Sequence, residues 1–157
     1  MFYYTFTDFQ GHDHAAAFVD LFSYDDEGVT KYQVSDDHHE KFLVTKSEFD
    51  HLAELKKHFH TYVALLDDTD YGDGYYYTVT FPDVNGAVSD GKNTTIALKE
   101  AKEVLEAILY DYDVENRPLP KVHTIDEIKA NMKFDPKHMK LYYVTADMGE
   151  GAKIWWP

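Results

Sequence analysis

The stretch Gly74–Leu109, GYYYTVTFPDVNGAVSDGKNTTIALKEAKEVLEAIL, constrains the fold more than any other part of the chain. Its first half alternates in the manner of a β-strand, so one set of side chains faces the core and the other set faces away. The predicted core set is Tyr75, Tyr77, Val79 and Phe81, and the opposite set is Tyr76, Thr78 and Thr80. PDVNG then turns the chain, and AVSDG forms a short second strand.

The second half of this stretch predicts the main helix of the protein. Asn93 is a suitable N-cap, and apolar residues recur after it every three to four positions. This apolar stripe comprises Ala97, Leu98, Ala101, Val104, Leu105, Ile108, Leu109 and Tyr112. The face predicted to lie in solvent carries Lys99, Glu100, Lys102, Glu103 and Glu106. The helix is predicted to end before VENRPLP at 114–120, because Pro118 and Pro120 cannot continue it.

The flanking segments extend this unit into a small antiparallel sheet. TYVALLDD at 61–68 is strand-like, and we expect the carboxylates that follow, Asp67, Asp68, Asp70 and Asp73, to form a solvated turn rather than a calcium loop. Thr124 caps a short helix, and KLYYVT at 140–145 predicts a last strand.

The first 60 residues predict a β-rich region that ends in a helix. The predicted strands are 2–9, 16–24, 30–35 and 40–45, with YDDEGV as a hairpin connection. Ser47 is the predicted N-cap of a helix over 48–59. The fold class is therefore α+β.

Composition narrows the function. The chain has 157 residues, with 29 Asp and Glu against 15 Lys and Arg and a formal charge of −14 at pH 7. A negative electrostatic field of this kind disfavours binding to the phosphate backbone of a nucleic acid and favours a basic protein partner. Keeping the protein in solution is an equally good explanation of the charge. The chain has no cysteine, which excludes disulfides and thiolate chemistry. Without a signal-peptide pattern or an apolar segment of spanning length, we expect a cytoplasmic protein away from the membrane.

The segment YYYTVTFPDVNGAVSDGKNTTIALKEAKEVLEAIL followed by NRPLP resembles the HicB-like antitoxin family. The matching residues are Phe81, Pro82, Asp83, Gly86, Gly91, Ala97, Leu98, Ala101, Lys102, Glu103, Pro118, Leu119 and Pro120. The hairpin before this segment and HMKLYYVTADM after it extend the resemblance over about residues 61–148. The resemblance implies a small, degenerate ribonuclease-H-like sheet with one main helix packed on a face.

The resemblance also implies a function, since such domains bind and mask a small basic toxin that cleaves messenger RNA. We therefore expect a non-enzymatic protein without cofactor, whose partner is a small basic HicA-like toxin. The predicted partner-binding residues lie on the sheet face opposite the core and on the turn that follows. They are Tyr76, Thr78, Thr80, Pro82, Asp83, Asn85 and Gly86.

The chain also departs from the family pattern. Asn85, Gly86 and Ala87 stand where the family usually has Pro-Gly-Cys. Only the tail 149–157 follows the last predicted strand, so we expect no C-terminal module that binds operator DNA. Residues 1–60 match nothing in the family, and their role stays open.

Two other interpretations remain. The chain is alternatively an orphan interaction module of the same fold, in which the N-terminal 60 residues and the tail form a homo-oligomer. Trp155 and Trp156 of the tail would then lie in the interface, although packing in the chain's own core explains them equally well. A metal-dependent hydrolase is the third interpretation. Nine histidines, among them His12, His14 and the 38–39 pair, raise it, but surface histidines explain them better and we predict no metal. The chain also lacks a phosphate-binding Gly-rich loop and a Gly-x-Ser-x-Gly elbow.

Overall fold

The structure is a computed structural model that describes residues 2–69 and 76–149. The chain divides into two compact units, residues 1–58 and 59–157. Both combine antiparallel strands with helices, so the α+β prediction is confirmed. The predicted core residue Tyr75, the turn residues Asp70 and Asp73, and the two tail tryptophans lie outside the described residues.

The first unit contains five strands and one helix. These are β1 (Tyr4–Thr7), β2 (Asp13–Ala16), β3 (Val19–Asp26), β4 (Val29–Asp36), β5 (Lys41–Val44) and α1 (Lys46–His58). Strands β1 and β2 form an antiparallel pair, and β3, β4 and β5 form a separate sheet in that order. The predicted strand over 16–24 was wrong at its start, since residues 13–16 pair with β1 and a new strand begins only at Val19.

Local backbone geometry explains two boundaries of this unit. Glu27 and Gly28 both have positive φ, at 50° and 84°, which is the geometry of a tight two-residue hairpin. They connect β3 to β4 in the predicted YDDEGV segment. The predicted cap Ser47 was wrong, because the amide of Glu48 donates instead to Oγ1 of Thr45 at 3.2 Å.

The polar loop between β1 and β2 is organised by one carboxylate. Asp8 accepts from the amides of Gln10 and His12, and from Nε2 of His14 at 2.7 Å. The hydrogen bond from His14, more than any other contact, lowers the pKa of Asp8. The His14 ring packs against Phe42, with centroids 4.1 Å apart. A histidine that the sequence left on the surface thus ties the loop to the sheet.

The second unit is a four-stranded sheet with two helices. Its elements are β6 (Phe59–Asp67), β7 (Tyr77–Thr80), β8 (Val88–Gly91), α2 (Thr94–Val114), α3 (Ile125–Ala130) and β9 (Met139–Asp147). The strand order is β8-β7-β6-β9, and every neighbouring pair is antiparallel. Strand β6 follows α1 directly, so the predicted helix end at residue 59 was one residue too late.

Helix α2 covers one face of this sheet, as predicted. Asn93 caps it by accepting from the amide of Ile96 at 2.9 Å. Its fully buried stripe meets the predicted core set of β7. The core members are Ala97, Ala101, Leu105 and Leu109 of α2 with Tyr77, Val79 and Phe81. The predicted cap of α3 is also confirmed, since Thr124 and Glu127 form a reciprocal capping box.

Gly91 sets how closely β8 approaches the start of α2. A Cβ at this position would lie 2.5 Å from the backbone nitrogen of Ala97 and 2.6 Å from its Cα. No side chain fits in that space without moving the backbone. The pairing of a glycine with an alanine six residues later is therefore a packing requirement.

Two acidic side chains predicted to be solvated are buried. Glu106 lies on the covered side of α2, where its Oε2 accepts from the amide of Asp147 at 2.8 Å. Asp68 is 5% exposed, and its Oδ1 lies 2.8 Å from Nδ1 of His138. Each carboxylate has found a distant donor that the local sequence pattern does not reveal.

The described residues contain neither a membrane-spanning helix nor a cluster of metal ligands. No helix there combines the length and the apolar character needed to cross a membrane. Nor do three or more His, Asp or Glu side chains of the described ranges come together as a group able to hold a metal ion.

Candidate partner-binding surface

The predicted site begins on β7, whose side chains alternate between two faces. Tyr77 and Val79 are buried beneath α2. Thr78 and Thr80 therefore point to the opposite side of the sheet, which we call the second face. The predicted alternation of side chains along β7 is confirmed, and Tyr76 lies half-buried immediately before the strand.

Strand register places an apolar row on the second face. Thr80 pairs with Leu65 on one side and with Val88 on the other, and Leu65 pairs with Leu141. Directly paired residues share a face, so Val88, Thr80, Leu65 and Leu141 form one row across all four strands. Val88 is 60% exposed and Thr80 is exposed, whereas the two leucines are half-buried. We call these four residues the apolar row.

A second row beside it is acidic. Thr78 pairs with Asp67 on β6 and with Asp90 on β8. Because Thr78 and Thr80 are two residues apart, this row lies on the same face as the apolar row. Asp90 is exposed, and Asp67 is half-buried with its Oδ1 accepting from the amide of Thr69. We call Asp90, Thr78 and Asp67 the acidic row.

The second face is open only in part. Val63 of β6 is fully buried, and Thr61 shares a 2.8 Å hydrogen bond with Thr145 of β9. On the same side of β9, the hydroxyl of Tyr143 accepts from the amide of Ile125 in α3. Strand β7 is not an edge, because it pairs on both sides. The accessible region is therefore the end of the sheet formed by β7 and β8.

The predicted turn residues follow β7 directly. The amide of Val84 donates to the carbonyl of Phe81, and Gly86 has a φ of 87°, in the left-handed region that favours glycine. Val84 and Ala87 are buried, which leaves Pro82, Asn85 and Gly86 exposed. The turn thus presents its polar and small residues to solvent and keeps its apolar residues in the core.

Asp83 is placed differently from its neighbours in the turn. Its Oδ2 accepts from the amide of His123 and its Oδ1 lies 2.7 Å from Nδ1 of the same residue. Three residues before His123, the carbonyl of Pro120 accepts a hydrogen bond from the hydroxyl of Tyr62 at 2.7 Å. Burial raises the pKa of that hydroxyl, which keeps it protonated and able to donate. These contacts fix the segment after the Pro-Leu-Pro exit against the sheet.

The sequence did not identify the residues that complete the apolar row or those that line the far side of a cavity beside the turn. Leu65, Val88 and Leu141 belong to recognised strands, but only the register puts them beside Thr80. An open cavity of about 300 Å³ lies next to the turn, lined by Pro82, Asp83, His123, Glu127, Ile128, Asn131 and Met132. Its far wall comes from α3 and the residues after it, about 45 to 50 positions away. No local signal connects these segments.

Comparison with known proteins found similarity to solved structures. No family profile matches the chain, and no curated protein matches it. Among solved structures, the chain is similar to a chain of a toxin-antitoxin complex from Streptococcus pneumoniae. The two are 26% identical, the match covers 63% of this chain and 76% of the other, and the TM-score is 0.48.

Proposed function

We propose that this protein is a HicB-like, non-enzymatic antitoxin that binds and masks a small basic HicA-like toxin in the cytoplasm. The observation that carries the proposal is the pairing of an apolar row with an acidic row at the open end of the second face. Apolar contact supplies affinity, and carboxylates at its border attract a basic partner and set its orientation. The exposed turn residues Pro82, Asn85 and Gly86 extend this surface beyond β7.

The overall charge supports the same partner. A formal charge of −14 accelerates encounter with a basic protein and opposes encounter with RNA, so the antitoxin would compete for the toxin without binding its substrate. The positions shared with the family also have structural roles here. Phe81 fills the core and Gly91 permits the approach of Ala97, as a shared fold requires.

The test is to look beside this gene for one that encodes a small basic protein, as the proposal predicts, and to co-express the two proteins. We expect the pair to co-purify and growth to be restored in cells that express the toxin. Asp90→Lys and Thr80→Arg place a positive charge on the second face, and each should weaken binding at least about tenfold. Glu103→Lys makes the same charge change as Asp90→Lys on the exposed side of α2 and should leave binding unchanged. If no basic protein co-purifies and toxicity persists, the antitoxin role is wrong.

The first unit favours a second candidate function, homo-oligomer assembly. Strand β3 is one of the two outer strands of its three-stranded sheet as described, and Phe22 on it is 58% exposed. The Phe22 ring stacks on the half-buried Tyr24 with centroids 5.8 Å apart, which forms a partly exposed aromatic pair on an outer strand. Sedimentation of the Phe22→Ser protein tests this role. A mass that falls to one chain supports assembly through β3, and an unchanged mass contradicts it.

A further inference from the structure

The cavity beside the turn combines an apolar wall with a carboxylate. Pro82, Ile128 and Met132 supply the apolar wall, and Asp83 and Glu127 supply negative charge. No Lys or Arg occurs among the described residues that line it, and His123 is its one basic side chain. At about 300 Å³ the cavity is at the small end of ligand pockets, large enough for a single side chain.

Asp83 lines the cavity and keeps acceptor capacity beyond its two hydrogen bonds with His123. His123 uses one acceptor position on each carboxylate oxygen. An ionised carboxylate has about four such positions, so about one per oxygen remains. The side chain is 10% exposed, which shows that it is reachable but largely shielded from water. The two hydrogen bonds from His123 also hold the carboxylate plane in a fixed orientation.

We propose that this cavity receives an arginine side chain of the partner protein, which deepens the proposed function and rests on it. The guanidinium, which has five N–H donors, can donate a charge-assisted hydrogen bond to a remaining acceptor position on Asp83. Its aliphatic stem would lie along Pro82, Ile128 and Met132, in the manner of long basic side chains on apolar surfaces. Lysine fits less well, because an ammonium is more strongly hydrated than a guanidinium and is therefore harder to bring into a cavity that is largely shielded from water.

The test uses the full-length protein alone, so it is independent of any partner. Isotope-labelled protein is titrated with N-acetyl-arginine amide and, as the neutral isostere, with N-acetyl-citrulline amide. We expect the arginine probe to produce saturating amide shifts at Asp83, His123 and Met132. The citrulline probe should bind at least about tenfold more weakly, since it lacks the charge.

Two variants and one control locate the effect. Asp83→Asn removes the charge, and Met132→Trp fills the cavity while leaving Asp83 and His123 in place, so the second variant remains informative if the first is unstable. Both should abolish the saturating shifts, whereas Asp90→Asn on the acidic row should not. Equal shifts with citrulline, or shifts that persist in Met132→Trp, would overturn the proposal.

The outcome also separates this inference from the proposed function. If the arginine probe binds but no basic partner is recovered, the cavity is an arginine site and the antitoxin role is wrong. If a partner binds Met132→Trp as tightly as the unchanged protein, the antitoxin role is supported and the cavity is not the contact that the partner uses.

Discussion

The carboxylate of Asp83 accepts two hydrogen bonds from His123, one from the amide at 2.7 Å and one from Nδ1 at 2.7 Å. These residues join the turn after β7 to the segment between the main helix and α3. The hydrogen bond from Tyr62 to Pro120 fixes the same segment from β6. The Phe-Pro-Asp turn and the Pro-Leu-Pro exit, which the sequence presents as separate motifs, therefore meet in one structural junction.

Removing the charge of Asp83 should destabilise this junction. Asp83→Asn leaves one acceptor oxygen and presents an amide donor where a second acceptor is needed. Hydrogen bonds to a charged group contribute about 1.5–3 kcal/mol, so we expect the free energy of unfolding to fall by about 2 kcal/mol. Urea denaturation followed by circular dichroism measures the change. Asp90→Asn, an exposed carboxylate of the same unit, is the control and should change stability by about 0.5 kcal/mol or less.

Gly91→Ala should be among the more damaging single-methyl additions to the second unit. The new Cβ would meet backbone atoms of Ala97 at 2.5 and 2.6 Å, and backbone cannot move aside as a flexible side chain can. Overpacking of this kind costs about 1–3 kcal/mol, and we expect the upper end of that range. The neighbouring Asp90→Ala is the control in the same thermal unfolding experiment. A stability loss no larger than that of Asp90→Ala would show that β8 and α2 are not tightly apposed.

Ser89→Ala should stabilise the protein or leave it unchanged. Among the buried side-chain polar atoms of the described residues, Oγ of Ser89 is the one without a hydrogen-bond partner. Replacing the hydroxyl with hydrogen removes a buried polar group that makes no hydrogen bond. We expect the free energy of unfolding to rise by up to about 1 kcal/mol as a result. An increase in the urea midpoint would agree with this. A clear loss of stability would mean that the hydroxyl makes a hydrogen bond after all.

The local chemistry of the chain could be predicted from its sequence. Alternation identified the core face of β7, and the side-chain preferences of Asn93 and Thr124 identified the starts of two helices. These features depend on residues close to each other along the chain. Ser47 failed as a cap because Thr45 offers an equivalent hydroxyl two residues earlier, and sequence alone does not rank the two.

The site depended on long-range relationships that the sequence does not display. The apolar row needs the register of four strands, since Thr80 meets Leu65 and Val88 only in that register. Similarly, Asp68 pairs with His138 across 70 positions and Glu106 with the amide of Asp147 across 41. Acidic residues that reach a buried donor look identical, in sequence, to acidic residues on a solvated surface.

Acid should weaken the first unit through Asp8. The pKa of Asp8 is lowered from its usual value of 3.8, chiefly by the hydrogen bond from His14. A group whose folded-state pKa lies below its unfolded value adds stability above the unfolded pKa and loses it as pH falls through the folded pKa. Asp8→Asn should therefore be less stable than the unchanged protein at about pH 5.5, and the difference should shrink below about pH 3.5. Asp25→Asn, which makes the same substitution in the exposed β3–β4 hairpin of this unit, is the control. The urea midpoints of the three proteins across this pH range measure the effect. If the difference between Asp8→Asn and the unchanged protein stays constant with pH, the carboxylate of Asp8 is not held ionised by His14.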